Sequence, residues 1–271
     1  MIDINEAADH VRDAPGFHLP FGVHLDLPSF NILGYQFQLT KFMVLELVAA
    51  VLMVLIFVPL ARQVATGKPP RGRFWNLFEA MVLFVRDEMA RPAIGRKDAD
   101  RFLPFLWTLF FFILFCNLLG MFPWAGSPTA AVSVTAPLAL IAFGMVTGAG
   151  MKRFGPLGFW VGLVPHMDLP WVLAIFLKPM ILAIEIFGLL IKHTILAVRL
   201  LANMFAGHLV LAVILSFIKV FADSIAWYGV MPASVAGAFA LSLLELFVAF
   251  LQAYVFSFLT ALFIGMSLHR H

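Results

Sequence analysis

The sequence predicts an all-α integral membrane protein with about five to six helices, of which the last two are long, steeply tilted and paired as a hairpin in the membrane. Of its 271 residues, 62% are apolar and 12% are charged, whereas soluble domains are about half apolar and a quarter charged. Apolar runs such as 102–121 last for the roughly 20 residues that a spanning helix needs, without the alternation of a membrane barrel. A soluble enzyme and a disordered chain are excluded, and the single cysteine, Cys116, excludes a disulfide scaffold.

Residues 1–40 form a polar segment that we expect to lie outside the cytoplasm, ahead of a single helical membrane domain over 41–271. The segment lacks the basic start and directly following apolar core of a secretory signal, so we expect it to stay on the mature protein. It contains one arginine and five acids, which are Asp3, Glu6, Asp9, Asp13 and Asp26.

The distribution of basic residues predicts the orientation of the chain. A first span over about 42–60 precedes a loop, 62–101, that holds nine of the eighteen Lys and Arg residues. The positive-inside rule places this loop in the cytoplasm and the N-terminus outside. Within the loop, apolar residues recur every three or four positions, which predicts an amphipathic surface helix over about 72–97.

Two spans of ordinary length follow, over about 102–122 and 132–151. The second of them ends at Lys152 and Arg153, which the same rule places in the cytoplasm. The two basic segments, 62–101 and 152–153, therefore lie on the same side of the membrane, as an alternating series of spans requires. We expect the C-terminus in the cytoplasm as well.

The last two apolar stretches are too long for ordinary spans. The stretch 171–221 would be roughly 75 Å long as one helix, more than twice the ~30 Å hydrocarbon core. Because two glycines are its only helix breakers after residue 180, we predict one tilted or bent helix. The second stretch, 235–268, would be roughly 50 Å long. Around a polar turn at 223–232, the two form a predicted hairpin over about 171–268.

Arg199 is predicted to carry a functional charge in the middle of the membrane. It lies about 30 Å along a helix from both Lys178 and Lys219, which mark the two interfaces, so it cannot reach water by snorkelling. An arginine at a helix centre costs about 2.5 to 3.5 kcal/mol on insertion scales and cannot shed its proton. The structural alternative is an arginine that pairs with a buried acid and only orients helices.

Other polar residues share a helix face with Arg199. Side chains seven positions apart on a helix stay within about 40° of one another. The alternative for Glu185, Lys192 and His193 is that the tilted helix has already reached cytoplasmic water at their level. The predicted ionic stripe consists of Glu185, Lys192, Arg199 and Asn203.

His208 points away from this stripe and needs a partner from another helix. Glu245 can supply it, and the same helix face carries Gln252, whose amide can form a hydrogen bond near the arginine. A histidine beside a glutamate can exchange a proton near neutral pH, so the pair is a candidate for proton transfer. Taken singly, the alternative for each residue is a satisfied buried polar group.

Other classes of protein fit the sequence less well. An ion-coupled secondary transporter, the main alternative, would show repeated halves with broken helices, and we find no such repeat. A haem carrier using His193 and His208 would need a second histidine pair. The basic residues form no aromatic-interleaved patch for a nucleic acid, and no phosphate-binding loop motif occurs. We expect no cofactor and no metal, and we expect Glu46, His166 and Asp168 at the membrane interface.

Three motifs resemble the subunit a family of the rotary F-type ATP synthases. They are LAVRLLANMFAGH at 196–208, LELFVAFLQAYVF at 244–256, and Asn117-Leu-Leu-Gly120 followed by Pro123. The two helix motifs are highly specific, and the resemblance covers nearly all of the chain after about residue 40. The histidine on the earlier helix and the acid on the later one follow the mitochondrial and alphaproteobacterial arrangement.

The resemblance implies a non-catalytic proton-channel subunit whose tilted helices face a ring of c subunits, each with a carboxylate at mid-membrane. It also implies b-type peripheral stalk subunits as partners and the bacterial inner membrane as location. Arg199 matches the essential arginine of the family. The other matching residues, expected along the proton path, are Asn117, Glu185, Asn203, His208, Glu245 and Gln252.

Overall fold

Two small β-hairpins and a bundle of helices make up the described part of the chain. The computed structural model describes residues 16–18, 24–32, 35–67, 72–122, 126–164 and 171–269. The strands pair in order, β1 with β2 and β3 with β4, both antiparallel. In chain order the elements are β1 (Gly16–His18), β2 (His24–Asp26), β3 (Ser29–Ile32), β4 (Tyr35–Gln38), α1 (Lys41–Ala65), α2 (Arg73–Phe84), a π-helical segment (Val85–Ala90), α3 (Arg91–Ile94), α4 (Ala99–Gly120), a 3-10 turn (Pro128–Ala130), α5 (Val132–Phe154), α6 (Pro156–Val161), α7 (Trp171–Val220) and α8 (Trp227–Leu268).

Five of the described helices are long and apolar enough to cross a membrane: α1, α4, α5, α7 and α8. The predicted class, a helical membrane protein with about five to six helices, is therefore confirmed. The two β-hairpins lie in the polar N-terminal segment, for which the sequence predicts no secondary structure. The predicted ends of the shorter spans are off by a few residues, since α1 continues to Ala65 and α4 begins at Ala99.

Helix α4 lies in the hydrophobic core and holds α1, the surface helices and α8 together. The ring of Phe57 in α1 packs against Phe111 in α4 at 4.3 Å and against Phe78 in α2 at 5.8 Å, measured between ring centroids. The indole Nε1 of Trp107 donates a hydrogen bond to the carbonyl of Val82 at 3.0 Å. The largest fully buried side chains of α4 are Phe110, Phe111, Leu106 and Ile113.

The surface segment expected over 72–97 is helical throughout 73–94, with a π-helical turn in its middle. Asp87 in that turn accepts hydrogen bonds from Arg86 at 2.9 and 3.0 Å and from Arg91 at 2.6 Å. The hydrogen bond from Arg86 lowers the pKa of Asp87 below its usual value, and the charges of both arginines act in the same direction. The carboxylate therefore stays ionised at neutral pH and holds both arginines on one side of the segment.

Helices α7 and α8 are single uninterrupted helices of 50 and 42 residues. At 1.5 Å per residue α7 is about 75 Å long, so the overlong helix predicted over 171–221 is confirmed. The predicted turn at 223–232 is too long, because α8 begins at Trp227 and includes Pro232. Pro232 is the sixth residue of α8 and has no N–H, so the helix lacks one backbone hydrogen bond in its second turn but continues through the proline.

Candidate functional site between the two longest helices

Helices α7 and α8 pack side by side and run in opposite directions. His193 in α7 contacts Phe263 in α8, with 5.3 Å between the ring centroids. Fifteen residues further along α7, His208 lies beside Glu245 in α8. Arg199 comes between these two contacts in the chain, so it lies within the paired length of the hairpin.

Arg199 lies at the boundary between the buried and the exposed face of α7. Leu196 and Leu200 are buried, whereas Ile195 and Val198 are more than half exposed. The guanidinium atoms Nε and Nη2 are shielded from solvent, and neither has a hydrogen-bond partner among the described residues. Within that part of the chain Arg199 also forms no ion pair, which argues against an arginine that only orients helices.

His208 and Glu245 form an ionisable pair between α7 and α8. The distance from His208 Nδ1 to Glu245 Oε1 is 3.6 Å, and Glu245 is only 7% exposed. His208 Nε2 is also shielded and has no hydrogen-bond partner among the described residues. A titratable pair enclosed between two helices, with an unused ring nitrogen, is suited to receive and pass on a proton.

Asn203 and Gln252 join the two helices one turn beyond Arg199. Asn203 Nδ2 donates a hydrogen bond to Gln252 Oε1 at 2.9 Å. The other end of the same amide, Gln252 Nε2, is buried and has no hydrogen-bond partner among the described residues. The site therefore holds a buried N–H donor near the arginine in addition to the guanidinium.

Asn117 connects α4 to α8 and is completely buried. Its Nδ2 donates to the carbonyl of Ala249 at 3.2 Å, and its Oδ1 accepts from Thr129 at 2.6 Å. The hydroxyls of Thr129 and Ser127 lie 2.8 Å apart. Both ends of the Asn117 amide are thus engaged, and the bonds fix α8 one helical turn from Glu245.

Glu185, Lys192 and His193 are not equivalent in the structure. Glu185 is half-buried and Lys192 is exposed, with its Nζ 5.9 Å from the ring of Phe263. His193 is buried between Phe143 and Phe263, and its Nδ1 bonds the backbone carbonyl of Leu189. At this level of α7 the Lys192 side chain is therefore on the surface of the described part of the chain, whereas the His193 ring is not.

The remaining polar candidates from the sequence are Glu46, His166 and Asp168. Glu46 is half-buried in α1, and His166 and Asp168 lie outside the described residues. In the described ranges no group of three or more His, Cys, Asp or Glu residues could hold a metal ion.

Gly207 is a site residue that the sequence analysis did not recognise. A Cβ atom at this position would lie 2.5 Å from Glu245 Oε1, so only glycine lets the carboxylate lie so close to α7. The signal in the sequence is a glycine within a long apolar helix, because small residues in such helices often mark a close approach of a neighbouring helix. Sequence reasoning also missed Ser127 and Thr129, which hold Asn117.

We expect Gly207→Ala to slow proton transfer by the His208–Glu245 pair while the protein still folds. The added methyl group displaces the flexible end of Glu245, and so separates it from His208. The matched control is Gly188→Ala in the same helix, where a Cβ atom has no neighbour within 4 Å. Passive proton flux in proteoliposomes measures the effect. Equal flux in the two variants would show that the close approach of Glu245 is unimportant.

The fold and the site together define a multi-pass helical membrane protein with ionisable residues buried between its two longest helices. The model of the family described as ATP synthase A chain matches residues 43–265. The chain is 39% identical to ATP synthase subunit a of Myxococcus xanthus, over 97% of this chain and 88% of that protein. It is 38% identical to ATP synthase subunit a of Chloroherpeton thalassium, over 97% and 76%. The chain belongs to the ATP synthase subunit a family, the proton-channel subunit of the F-type ATP synthase.

Proposed function

We propose that the chain provides a non-catalytic proton path made of two half-channels, and that Arg199 couples proton flow to the rotation of a c-subunit ring. The observation that supports this proposal most is the position of Arg199 in the middle of α7, with shielded nitrogens that have no hydrogen-bond partner in the described part of the chain. The residue lies about 30 Å along α7 from Lys178 and from Lys219, and it borders an exposed apolar face. A carboxylate from a neighbouring subunit would supply a hydrogen-bond partner for these nitrogens.

The coupling follows from the cost of a charge in lipid. A ring carboxylate that faces lipid stays protonated, because desolvation disfavours its charged form. Beside the fixed positive charge of Arg199 the ionised form is favoured, so the proton is released there. The ionised group cannot turn back into lipid until it is reprotonated from the other half-channel, and each step of rotation therefore carries a proton. The membrane potential contributes about 2.3 kcal/mol per proton per 100 mV.

Arginine suits this position better than lysine. A buried lysine readily loses its proton and could pass it directly from one half-channel to the other. A guanidinium stays charged and repels a proton that would cross without rotation. The same charge thus drives release and prevents a leak.

The half-channel on the extracytoplasmic side is assigned to His208 and Glu245. They lie nearer than Arg199 to the turn at 221–226, which the proposed orientation places outside the cytoplasm. Gly207 lets the carboxylate approach α7, and Asn117 fixes α8 next to Glu245. The 3.6 Å separation of the pair is longer than a hydrogen bond, so a small rotation of the Glu245 side chain brings the two atoms within the roughly 3.2 Å that proton transfer needs.

The half-channel on the cytoplasmic side is assigned to the face of α7 that carries Glu185. Fourteen residues separate Glu185 from Arg199, which corresponds to about 21 Å along the helix. Glu185 is half-buried and its neighbour on the stripe, Lys192, is exposed. A carboxylate at this level can take up a proton released near Arg199 and deliver it to the cytoplasm.

The surroundings of the chain follow from the same proposal. As a member of its family the chain has other ATP synthase subunits as partners. We propose that the c-subunit ring contacts the face formed by α7 and α8, and that b-type stalk subunits contact the remaining helices. The chain is a multi-pass membrane protein, and we place it in a bacterial inner membrane. The N-terminal segment 1–40 then lies outside, and the basic surface segment and the C-terminus lie in the cytoplasm.

Photocrosslinking from α7 tests whether this face meets the ring. Cysteines at Ile195 and Val198, both more than half exposed, are labelled with a benzophenone maleimide in the assembled complex. We expect crosslinks to a c subunit from both positions. The native Cys116 is completely buried in α4, which keeps background labelling low. The matched control is a cysteine at Val54 in α1, which is 59% exposed.

We expect no c subunit to be crosslinked from the control position. A complex in which Val54 reached the ring, or in which the two α7 positions labelled only lipid, would contradict the assignment of the ring to this face.

A further inference from the structure

A basic pocket lies at the end of the bundle where α4 begins and where α5 and α8 end. Its volume is about 460 Å³. Arg101, Lys152 and Arg153 line it together with one carboxylate, Asp98. At neutral pH the lining therefore has three positive charges and one negative charge. The pocket lies apart from the proposed proton path.

The single carboxylate of the pocket is already engaged. Asp98 Oδ2 lies 3.8 Å from Arg153 Nη1 and 3.7 Å from His269 Nε2. Arg101 and Lys152 are exposed, and within the described ranges neither forms an ion pair. The pocket thus has two cations available to bind an anion. The N-terminus of the long helix α4 adds a partial positive charge.

The rest of the pocket wall is apolar. Phe102, Phe105, Met145 and Leu268 come from helices that are long enough to span the membrane. Gly148 also lines the pocket, and a Cβ atom there would have no neighbour within 4 Å, so the wall is open at this point. An apolar wall below a basic rim matches a molecule with an anionic head and a hydrocarbon body.

We propose that this pocket binds the anionic head group of a phospholipid from the cytoplasmic leaflet. Arg101 and Lys152 hold the phosphate, the charge of the ion-paired Arg153 adds to the attraction at the rim, and the apolar wall contacts the first part of the acyl chains. Basic pockets between spanning helices on the cytoplasmic side are suited to such head groups. A free phosphate ion shares the same chemistry at the rim but gains nothing from the aromatic and methionine side chains. The lipid would join the ends of α4, α5 and α8.

The test uses the complete complex and photoactivatable phosphatidylglycerol, with photoactivatable phosphatidylcholine as the neutral comparison. We expect phosphatidylglycerol to label α4 and α5 near the pocket at least ten-fold more strongly. Each cation near an anionic lipid is worth about five-fold in affinity. The triple variant Arg101→Gln, Lys152→Gln and Arg153→Gln should therefore lose on the order of 100-fold in affinity.

Two further variants separate this site from a general charge effect. Arg62→Gln with Arg96→Gln and Lys97→Gln removes the same charge from exposed cytoplasmic positions outside the pocket and should keep the labelling. Gly148→Leu keeps every charge but fills the pocket, and we expect it to lose at least ten-fold in labelling.

Several results would overturn the proposal. These are equal labelling by the two lipids, or labelling that survives both Gly148→Leu and the pocket triple variant. Displacement of the lipid by millimolar inorganic phosphate would show a site for a free anion instead. Protection of the pocket by another subunit, seen as labelling only after that subunit is removed, would show a protein contact.

Discussion

Arg199→Ala is expected to abolish both coupled ATP synthesis and ATP-driven proton pumping while leaving the complex assembled. Without the fixed positive charge, the ionised form of a ring carboxylate is not stabilised at α7, so the carboxyl group keeps its proton. We expect the rates of ATP synthesis and of ATP-driven pumping each to fall by more than about 100-fold. Arg199 acts only through the coupled step, and no other group can take over part of its effect. ATP synthesis in energised vesicles and ATP-driven acidification measure the two directions.

Assembly should survive because the arginine is costly for the fold. Burying it at the centre of a spanning helix costs about 2.5 to 3.5 kcal/mol on insertion scales. Its shielded nitrogens form no hydrogen bond within the described ranges, so the alanine variant breaks no hydrogen bond of these atoms there. A failure of activity in an assembled complex is then a failure of coupling and not of folding.

Two companion variants sharpen this prediction. Arg199→Lys keeps a positive charge that can be lost, so we expect little coupling and a proton leak in the absence of rotation. Lys192→Ala removes an exposed cation seven residues earlier on the same stripe and should retain most activity. Normal coupling in the Arg199→Ala complex would refute the proposed role of the arginine.

Much of the fold could be predicted because the length and polarity of helices in a membrane are set by the bilayer. Runs of about 20 apolar residues located the shorter spans, and the lack of breakers after residue 180 predicted α7 as one helix. The ends were less certain, because a helix continues where its apolar run stops. Helix α1 passes Arg62 and ends at Ala65, since a basic side chain can extend to the interface from within a helix.

The small β-hairpins could not be predicted in the same way. Their strands contain three or four residues each, which is too short for an alternating pattern to be distinct from chance. They lie in the polar segment before α1, where no long apolar run constrains the structure.

The sequence predicted the charged residues of the candidate site and the pairing of His208 with Glu245, which lie 3.6 Å apart, but not the other contacts. A mid-helix arginine is identifiable from its distance to the interfaces, and the direction of His208 from helix geometry. The role of Gly207 depends on how closely α8 approaches α7, which no single-helix pattern contains. The bonds that Asn117 makes with Ala249 and Thr129 join residues far apart in the chain, so the sequence indicates a polar residue without its partners.

Glu245→Gln and His208→Ala are each expected to slow proton entry, and together to slow it no further than the worse single variant. A positioned acid–base group contributes at least about 100-fold to a proton transfer, so each single loss should be of that order. The two side chains are 3.6 Å apart. If they act as one relay, removing either one already breaks it, and the double variant shows a large coupling energy.

The measurement is proton flux through the membrane sector in proteoliposomes under an imposed potassium diffusion potential. Glu79→Gln, the same chemical change in the surface helix α2, is the matched control and should leave the flux unchanged. Independent action predicts instead that the two single losses multiply, which would give a flux on the order of 10⁴-fold below that of the unmodified protein. Such a product would show that the two residues lie on separate steps, and the half-channel would then have to be assigned to only one of them.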